Sequence, residues 1–196
     1  MSEFGEIEEQ IKENLSEKRF LHTLSVANEA RRLAKHYKAD ENAAYLAGLV
    51  HDCAKEIPKD EAFERLKEFG YEPDSDMLLC PGLWHGPLGM FVARERFGID
   101  NTDVLNAVCY HSTGRADMSL LEKIIYLADF IEPLRSFDGV EKVRELAYKD
   151  IDAAALCEAE EVIVFTIEKH KYIHPNTLRT RNDLLIKIRE RNINEG

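Results

Sequence analysis

The hydrophobic residues of the chain recur mainly at the three- and four-residue spacing of α-helices, and alternating β-branched runs are almost absent. The clearest stripe contains Val26, Ala30, Leu33 and Tyr37, which occupy one face of a predicted helix. Residues 41 to about 52 are apolar nearly all the way round, so we expect that helix to be central. The pattern predicts an all-α fold.

Capping residues and breakers give approximate bounds for the remaining helices. A Ser119-x-x-Glu122 capping box predicts the start of the helix at residue 120. Prolines and glycines between 70 and 84 predict the main loop region. The other predicted N-caps are Ser16, Asp40 and Asn176. The predicted helices span about 6–15, 16–37, 41–52, 58–69, 87–97, 102–111, 120–134, 140–148, 153–170 and 176–191.

Composition adds limits on size and on partners. A chain of 196 residues with 44% hydrophobic and 32% charged residues can bury a substantial core, and nothing in it reads as a linker. The formal net charge of −11 would repel a polyanion, so nucleic acid polymers and anionic membrane surfaces are not expected partners. A small phosphate compound remains compatible, because a bound cation can reverse the local charge.

The start of the chain has neither a basic stretch nor the apolar run of a secretory signal, so we expect a cytoplasmic protein. The most apolar stretches are shorter than a bilayer span, and we expect no transmembrane helix. The four cysteines contain no Cys-x-x-Cys pair, which indicates reduced packing residues rather than a thiolate zinc site or disulfides.

Histidine and aspartate residues at helix ends or on apolar faces are the candidates for chemistry. His51 and Asp52 end the apolar helix, and His22 precedes Val26 by one turn on the buried face. Asp129 lies inside an apolar helix, where a carboxylate is costly to bury unless it is paired or binds a metal. Each residue alone is more typical of a hydrogen-bonded core residue or a cap. Their combination favours a metal site.

Two more histidines fit this picture. His85 lies in a segment rich in proline and glycine, whose fixed backbone can direct a side chain into a pocket. His111 ends an apolar helix beside Ser112, and the hydroxyl of Ser112 can donate to a phosphate or simply close the helix. His36 and His170 follow no such pattern and are expected at the surface.

Five short segments together carry a family resemblance. Lys55 completes a His-Asp-x-x-Lys motif typical of the HD superfamily of phosphohydrolases. The matching segments are 49–55 (LVHDCAK), 84–87 (WHGP), 110–114 (YHSTG), 126–133 (YLADFIEP) and 174–177 (HPNT). From about residue 19 to residue 181 the chain resembles the YqeK family of symmetrical bis(5'-nucleosyl)-tetraphosphatases.

The resemblance implies one HD domain over 1–196, a helical bundle with a central metal site. Residues 16–135 would form the metal-binding core, and residues 136–196 would complete a nucleotide pocket. The implied ligands of the metal are His22, His51, Asp52 and Asp129. A second ion could share Asp52 with His85 and His111. One or two iron ions are implied by the family, whereas a set of imidazoles and carboxylates also suits manganese or another divalent transition metal.

The reaction that the resemblance implies is the hydrolysis of diadenosine tetraphosphate to two ADP by attack of metal-bound water. The implied catalytic residues are His22, His51, Asp52, Lys55, His85, His111 and Asp129. The implied contacts with the dinucleotide or an ADP-like nucleotide are Arg19, His22, Lys55, His85, His111, Ser112, Asp129, Arg135, Tyr172, Ile173, His174, Pro175, Asn176, Thr177 and Arg181.

Several alternatives stay open at this point. The same metal site could serve an HD-type nucleotidase or another nucleoside polyphosphate hydrolase, since fold does not fix the substrate. A non-catalytic sensor of metal and nucleotide is a second alternative, although it would be free to lose the ligands that this chain retains. A di-iron oxygenase would leave Lys55 and Arg135 without a purpose. The apolar residues of the first helix and of the helix before His170 can pack within a monomer or across a homodimer.

Overall fold

The structure is a computed structural model that describes residues 4–194. This part of the chain contains a 3-10 helix (Pro81–Leu83) and no β-strand, so the all-α prediction is confirmed. The α-helices of the described residues are α1 (Gly5–Asn14), α2 (Glu17–His36), α3 (Glu41–Val50), α4 (Lys59–Glu68), α5 (Ser75–Leu79), α6 (His85–Phe97), α7 (Thr102–Tyr110), α8 (Leu120–Ile131), α9 (Val140–Ala147), α10 (Ile151–Glu168) and α11 (Pro175–Asn194).

Helix α3 is central, as its apolar sequence predicts. It packs against α2, α7 and α8, and Leu49 and Val50 are completely buried. Gly48 permits a close approach of α2 and α3, because a Cβ atom at this position would lie 2.7 Å from the Cα of Ala27. This contact brings the face of α2 that carries His22 close to the end of α3.

The C-terminal helices form a second layer that packs against the central helices. Helix α10 packs against α8, α9 and α11. One hydrophobic cluster includes residues from Ile11 in α1 to Leu184 in α11, so both predicted parts of the chain contribute to one core. A smaller cluster around Leu66, Trp84 and Leu88 joins α4 and α6.

The N-caps predicted at the first helices are confirmed. The Ser16 hydroxyl accepts a hydrogen bond from the Arg19 amide, and the Asp40 carboxylate accepts from two amides of α3. Ser119 and Glu122 form the complete capping box of α8. These side chains satisfy amide groups that have no partner inside the helix.

Two predicted bounds were wrong because of proline. Helix α8 ends at Ile131 instead of 134, since Pro133 disfavours the helical conformation at Glu132, whose backbone is extended. The final helix begins at Pro175, so Asn176 is not its cap. Instead, the Nδ1 atom of His174 accepts a hydrogen bond from the Asn176 amide at 3.2 Å, and Pro175 takes the first helical position.

The predicted loop at 70–84 also differs from the structure. It contains α5, capped by Asp74, and the 3-10 helix. Helix α6 begins at His85 rather than at Pro87. Pro87 is tolerated within the first turn of this helix, because the amide that proline lacks would have no intrahelical partner there. Within residues 4–194, no helix combines the length and apolar character needed to cross a bilayer.

Candidate metal centre

The predicted chemical residues come together although they arise from five helices. His51 and Asp52 follow the last residue of α3, and His111 follows the last residue of α7. Asp129 lies in α8, His22 in α2 and His85 at the first position of α6. All four histidines are at least nine-tenths buried, which places the cluster inside the helical layers.

One group of potential ligands contains His22, His51 and Asp129. Their ligand atoms lie within 4.8 Å of one another, a separation that one ion can bridge. The Nε2 atom of His22 is 3.1 Å from Oδ1 of Asp129, and that of His51 is 4.0 Å from the same oxygen.

A second group adjoins the first and contains His51, Asp52 and His111, again within 4.8 Å of one another. The Oδ2 atom of Asp52 is 3.4 Å from Nε2 of His51. Its other oxygen, Oδ1, is 3.4 Å from Nε2 of His85 and 3.5 Å from Nε2 of His111. Asp52 therefore faces both groups, as a carboxylate shared between two ions would.

Backbone carbonyls orient three of the imidazole rings. The Nδ1 atoms of His51, His85 and His111 lie 2.7 to 2.8 Å from the carbonyl oxygens of Gly48, Gly82 and Val108. A carbonyl only accepts, so Nδ1 carries the proton in each ring, and in the neutral ring Nε2 presents a lone pair to the centre. Metal-ligating histidines commonly have this arrangement.

Glu132 orients the fourth ring, and sequence reasoning gave it no role. Its Oε1 atom lies 3.1 Å from Nδ1 of His22, and its other oxygen accepts a hydrogen bond from the Leu134 amide at 2.6 Å. Glu132 is almost completely buried. Its position within the segment 126–133, three residues after Asp129, was the signal that could have identified it.

The donor set fits a divalent transition metal. Among the described residues, the buried Nε2 atoms of His22 and His51 and the Oδ1 atom of Asp52 have no hydrogen-bond partner. The Nε2 atom of a neutral imidazole protonated at Nδ1 and the oxygen of an ionised carboxylate only accept, and the Nε2 atoms of His85 and His111 face each other at 3.0 Å. Facing lone pairs repel unless a cation lies between them. Imidazole and carboxylate ligands without thiolate suit iron, manganese, cobalt, nickel or zinc.

The two aspartates stay ionised. Burial raises the pKa of Asp52, but the nearby His51 and His111 rings, in their cationic forms without a bound metal, and the Lys55 ammonium outweigh burial and hold that pKa well below its ordinary value. Burial opposes ionisation of Asp129 as well, and the contact with His22 and the positions of His51 and His111 lower its pKa. Both carboxylates are therefore available as anionic ligands at neutral pH.

Cationic side chains surround the carboxylates. The Nη1 atom of Arg19 lies 2.8 Å from Oδ2 of Asp52, and the Nη2 atom of Arg135 lies 2.6 Å from Oδ1 of Asp129. The Nζ atom of Lys55 is 3.0 Å from Nε2 of His85 and 3.8 Å from Oδ1 of Asp52. These three cations and Ser112, whose hydroxyl is 3.0 Å from Nε2 of His111, form a rim that can contact phosphate oxygens.

Comparison with known proteins agrees with this geometry. Residues 19–134 match the model of the HD domain family. The chain is 43% identical to a symmetrical bis(5'-nucleosyl)-tetraphosphatase of Halalkalibacterium halodurans, over 93% of this chain and 97% of that protein. A Bacillus subtilis protein of the same name is 39% identical, over 89% of this chain and 94% of its own length.

The chain belongs to the HD-domain family of symmetrical bis(5'-nucleosyl)-tetraphosphatases. The family predicted from its five motif segments is therefore confirmed. The chain is also similar to a protein of known structure. It is described as a predicted HD superfamily hydrolase involved in NAD metabolism from Clostridium acetobutylicum, and it has a TM-score of 0.92 with 43% identity over 95% of this chain and 99% of that chain.

The C-terminal turn of this family member lines a cavity beside the metal centre. We call it the turn cavity. It has a volume of about 210 Å³ and is lined by Tyr110, Ser112, His174, Pro175 and Asn176, among others. Because the Nδ1 atom of His174 accepts the Asn176 amide, its Nε2 atom carries the proton. This Nε2 group is buried and has no hydrogen-bond partner among the described residues.

The other predicted nucleotide contacts are more dispersed. The Tyr172 hydroxyl donates to Asp76 on α5 and the side chain is half exposed, whereas Thr177 is buried. Arg181 forms an ion pair with Glu160 of α10 at 2.8 Å and is not among the residues that line the turn cavity. Its role in binding stays a prediction.

Proposed function

We propose that the chain hydrolyses diadenosine tetraphosphate at the middle of its polyphosphate bridge and releases two ADP molecules. The observation that carries the proposal is the arrangement of two adjoining groups of histidine and carboxylate ligands, which share His51 and lie beside a rim of cationic side chains. A polyphosphate needs both features, since its oxygens carry the charge that the site must offset.

His22, His51, Asp52 and Asp129 would hold the first divalent cation, and Asp52, His85 and His111 a second. We propose iron as the metal, on family likeness, with manganese or another divalent transition metal as the alternative. A cation bound there supplies the Lewis acidity that activates a water molecule and stabilises charge on the phosphoryl oxygens.

The surrounding side chains would bind and position the polyphosphate. Lys55, Arg19 and Arg135 offer N–H donors next to the carboxylates of the ligand cluster, and Ser112 offers a hydroxyl. Arginine can bind two phosphate oxygens through its forked geometry. Because Arg19 and Arg135 contact the carboxylates directly, each would link a metal ligand to the substrate.

The turn cavity would bind one nucleoside of the substrate. The N–H group of His174 is a buried donor without a partner, and it can pair with an acceptor on the base or the ribose. Pro175 and Asn176, which begin α11, also line this cavity, and the amides of Asn176 and Thr177 donate to the ring and the carbonyl oxygen of His174 and hold that residue in place. In this proposal residues 136–196 complete the nucleotide site of an HD core formed by residues 16–135.

The strongly acidic chain, with a net charge of −11, favours a small-molecule substrate over a nucleic acid polymer. We place this activity in the cytoplasm, where nucleotides are present.

Product analysis tests the proposal. Metal-loaded protein is incubated with diadenosine tetraphosphate, and the nucleotides are separated by anion-exchange chromatography. ADP as the single product supports symmetrical cleavage. A mixture of ATP and AMP contradicts it, and binding without turnover favours a sensor. Metal analysis of protein purified without oxygen tests the assignment of iron.

A further inference from the structure

A second and larger cavity opens from the metal centre between α8 and α10. Its volume is about 680 Å³, within the usual range of small-molecule sites. His111, Ser112, Asp129 and Arg135 line its inner end. Ser112 also lines the turn cavity, so the two cavities meet at the metal centre.

Aromatic and aliphatic side chains form much of the wall of this cavity, which we call the aromatic cavity. They include Phe130, Phe137, Val162 and Phe165. Phe137 is 42% exposed and Phe165 is 52% exposed, so both leave large apolar surfaces in contact with water. A planar ligand that stacks on such rings would remove this surface from water, and nucleic acid bases do so commonly.

Glu158 adds a polar group that the metal centre does not use. It lines the aromatic cavity, is 96% buried, and its Oε2 atom has no hydrogen-bond partner among the described residues. Burial, together with the charge of Asp129, raises the pKa of Glu158 well above its ordinary value despite the opposing effect of Arg135. Below its raised pKa the group is a neutral acid, with one donor and one acceptor.

The charges of the aromatic cavity favour an uncharged occupant. Asp138, Glu161 and Glu168 line it, whereas Arg135, at the inner end, is the one permanently cationic side chain among its described lining residues. Carboxylates would repel phosphate but can accept hydrogen bonds from ribose hydroxyls. A nucleoside fits these conditions, with its phosphates directed toward Arg135 and the metal centre.

We propose that the aromatic cavity binds the second nucleoside of the dinucleotide, with its base against Phe137 and Phe165 and the edge of the base on Glu158. The inference rests on the proposed function, in which the turn cavity binds the first nucleoside. Two cavities that meet at the metal centre would hold the two halves of the substrate and place the middle of the bridge at the ligands.

Substrate comparison tests this inference. Adenosine 5'-tetraphosphate has the same polyphosphate but lacks the second nucleoside, and the same cut converts it with water to ADP and pyrophosphate. Phe165→Ala is expected to lower the preference for diadenosine tetraphosphate over this compound about 5- to 100-fold, the range of base stacking on an aromatic residue. The change should come from KM for the dinucleotide, with the shorter substrate unaffected.

Ile167→Ala is the matched control. Ile167 lies on the same helix, is 57% exposed, and does not line the aromatic cavity. It should leave the preference unchanged. At position 158, Glu158→Leu should reduce the preference, whereas Glu158→Gln keeps a donor and an acceptor and should retain most of it.

Calorimetric titration with ADP gives a readout that does not need turnover. Wild-type protein should bind two ADP per chain, and Phe165→Ala should bind one of them about 5- to 100-fold more weakly. An unchanged preference in Phe165→Ala, or an equal loss with both substrates, overturns the inference. So does a change in mass by analytical ultracentrifugation without a change in preference, which would make the cavity a subunit interface. If neither substrate is hydrolysed, the proposed function fails, and the ADP stoichiometry alone then decides the inference: two supports it and one contradicts it.

Discussion

The Oε1 atom of Glu132 lies 3.1 Å from Nδ1 of His22, although 110 positions separate the two residues in the chain. The contact directs the Nε2 atom of His22 toward Asp129, 3.1 Å away. A carboxylate that accepts from the distal nitrogen of a histidine fixes its ring and raises its basicity. Glu132 therefore acts on the metal centre through His22.

Glu132→Gln should weaken metal binding about 10- to 100-fold while the protein stays folded. Glutamine has one oxygen, which cannot replace both the acceptor for His22 and the acceptor for the Leu134 amide. Chelator competition measures the affinity, and circular dichroism monitors the fold. Glu141→Gln on α9, an exposed position, serves as the control and should leave the affinity unchanged. Equal metal affinities in the two variants would contradict a role of Glu132 in positioning His22.

Asp52→Ala should abolish both metal retention and turnover. Asp52 lies within 4 Å of nitrogen atoms on His22, His51, His85 and His111, so its loss removes a carboxylate that faces both groups. We expect less than about one-thousandth of the wild-type rate, since removing a group central to catalysis costs this much or more. The metal content of purified protein and the initial rate test this, and a variant that retains metal and activity contradicts it.

Lys55→Met should spare the metal and raise KM for the dinucleotide about 10- to 100-fold, because a hydrogen bond to a charged group contributes about 1.5–3 kcal/mol. Methionine keeps much of the side-chain length without the ammonium group. The control is Lys67→Met, which removes an exposed lysine of α4 and should change neither quantity. Loss of the metal in Lys55→Met would show that Lys55 supports the ligands instead of the substrate.

Glu158→Gln should stabilise the protein at neutral and alkaline pH. The pKa of Glu158 is raised in the folded state, so between the unfolded pKa near 4.5 and the folded value the native state alone keeps the proton. Stability then falls as pH rises, by up to about 1.4 kcal/mol per pH unit. Glutamine does not titrate, so the stability of the variant does not fall in this way as pH rises.

Thermal unfolding at pH 4, 6 and 8 measures the effect. The gain of Glu158→Gln over wild type should be smallest at pH 4 and grow with pH, while Glu145→Gln at an exposed position of α9 should show no such trend. A gain that is independent of pH would mean that Glu158 is ionised in the folded protein.

The helical period and the capping residues predicted most of the fold. Ser16, Asp40 and the box of Ser119 and Glu122 act locally, so their effect can be read from adjacent positions. Errors arose at Glu132 and Asn176, where a neighbouring proline changed the boundary. A proline can end a helix by disfavouring the helical conformation of the residue before it, or begin a helix by taking the first helical position. The sequence pattern did not show which of these two effects sets each boundary.

The ligand cluster could be predicted because His51, Asp52 and Asp129 lie in short, specific segments. The roles of Glu132 and Glu158 could not, because they depend on which helices pack together. Glu132 matters only when α2 packs against α8, and Glu158 matters only when α10 covers the space beside Asp129. In the sequence, Glu158 looks like an ordinary polar residue between Cys157 and Ala159.

Anomalous diffraction at the iron edge, from crystals of protein loaded with iron(II) without oxygen, shows whether the histidine and aspartate side chains of these helices bind one metal centre. We expect a peak that lies between the Nε2 atoms of His22 and His51 and carboxylate oxygens of Asp52 and Asp129. A peak elsewhere, or no peak among these residues in fully loaded protein, would contradict the claim that they form one metal centre.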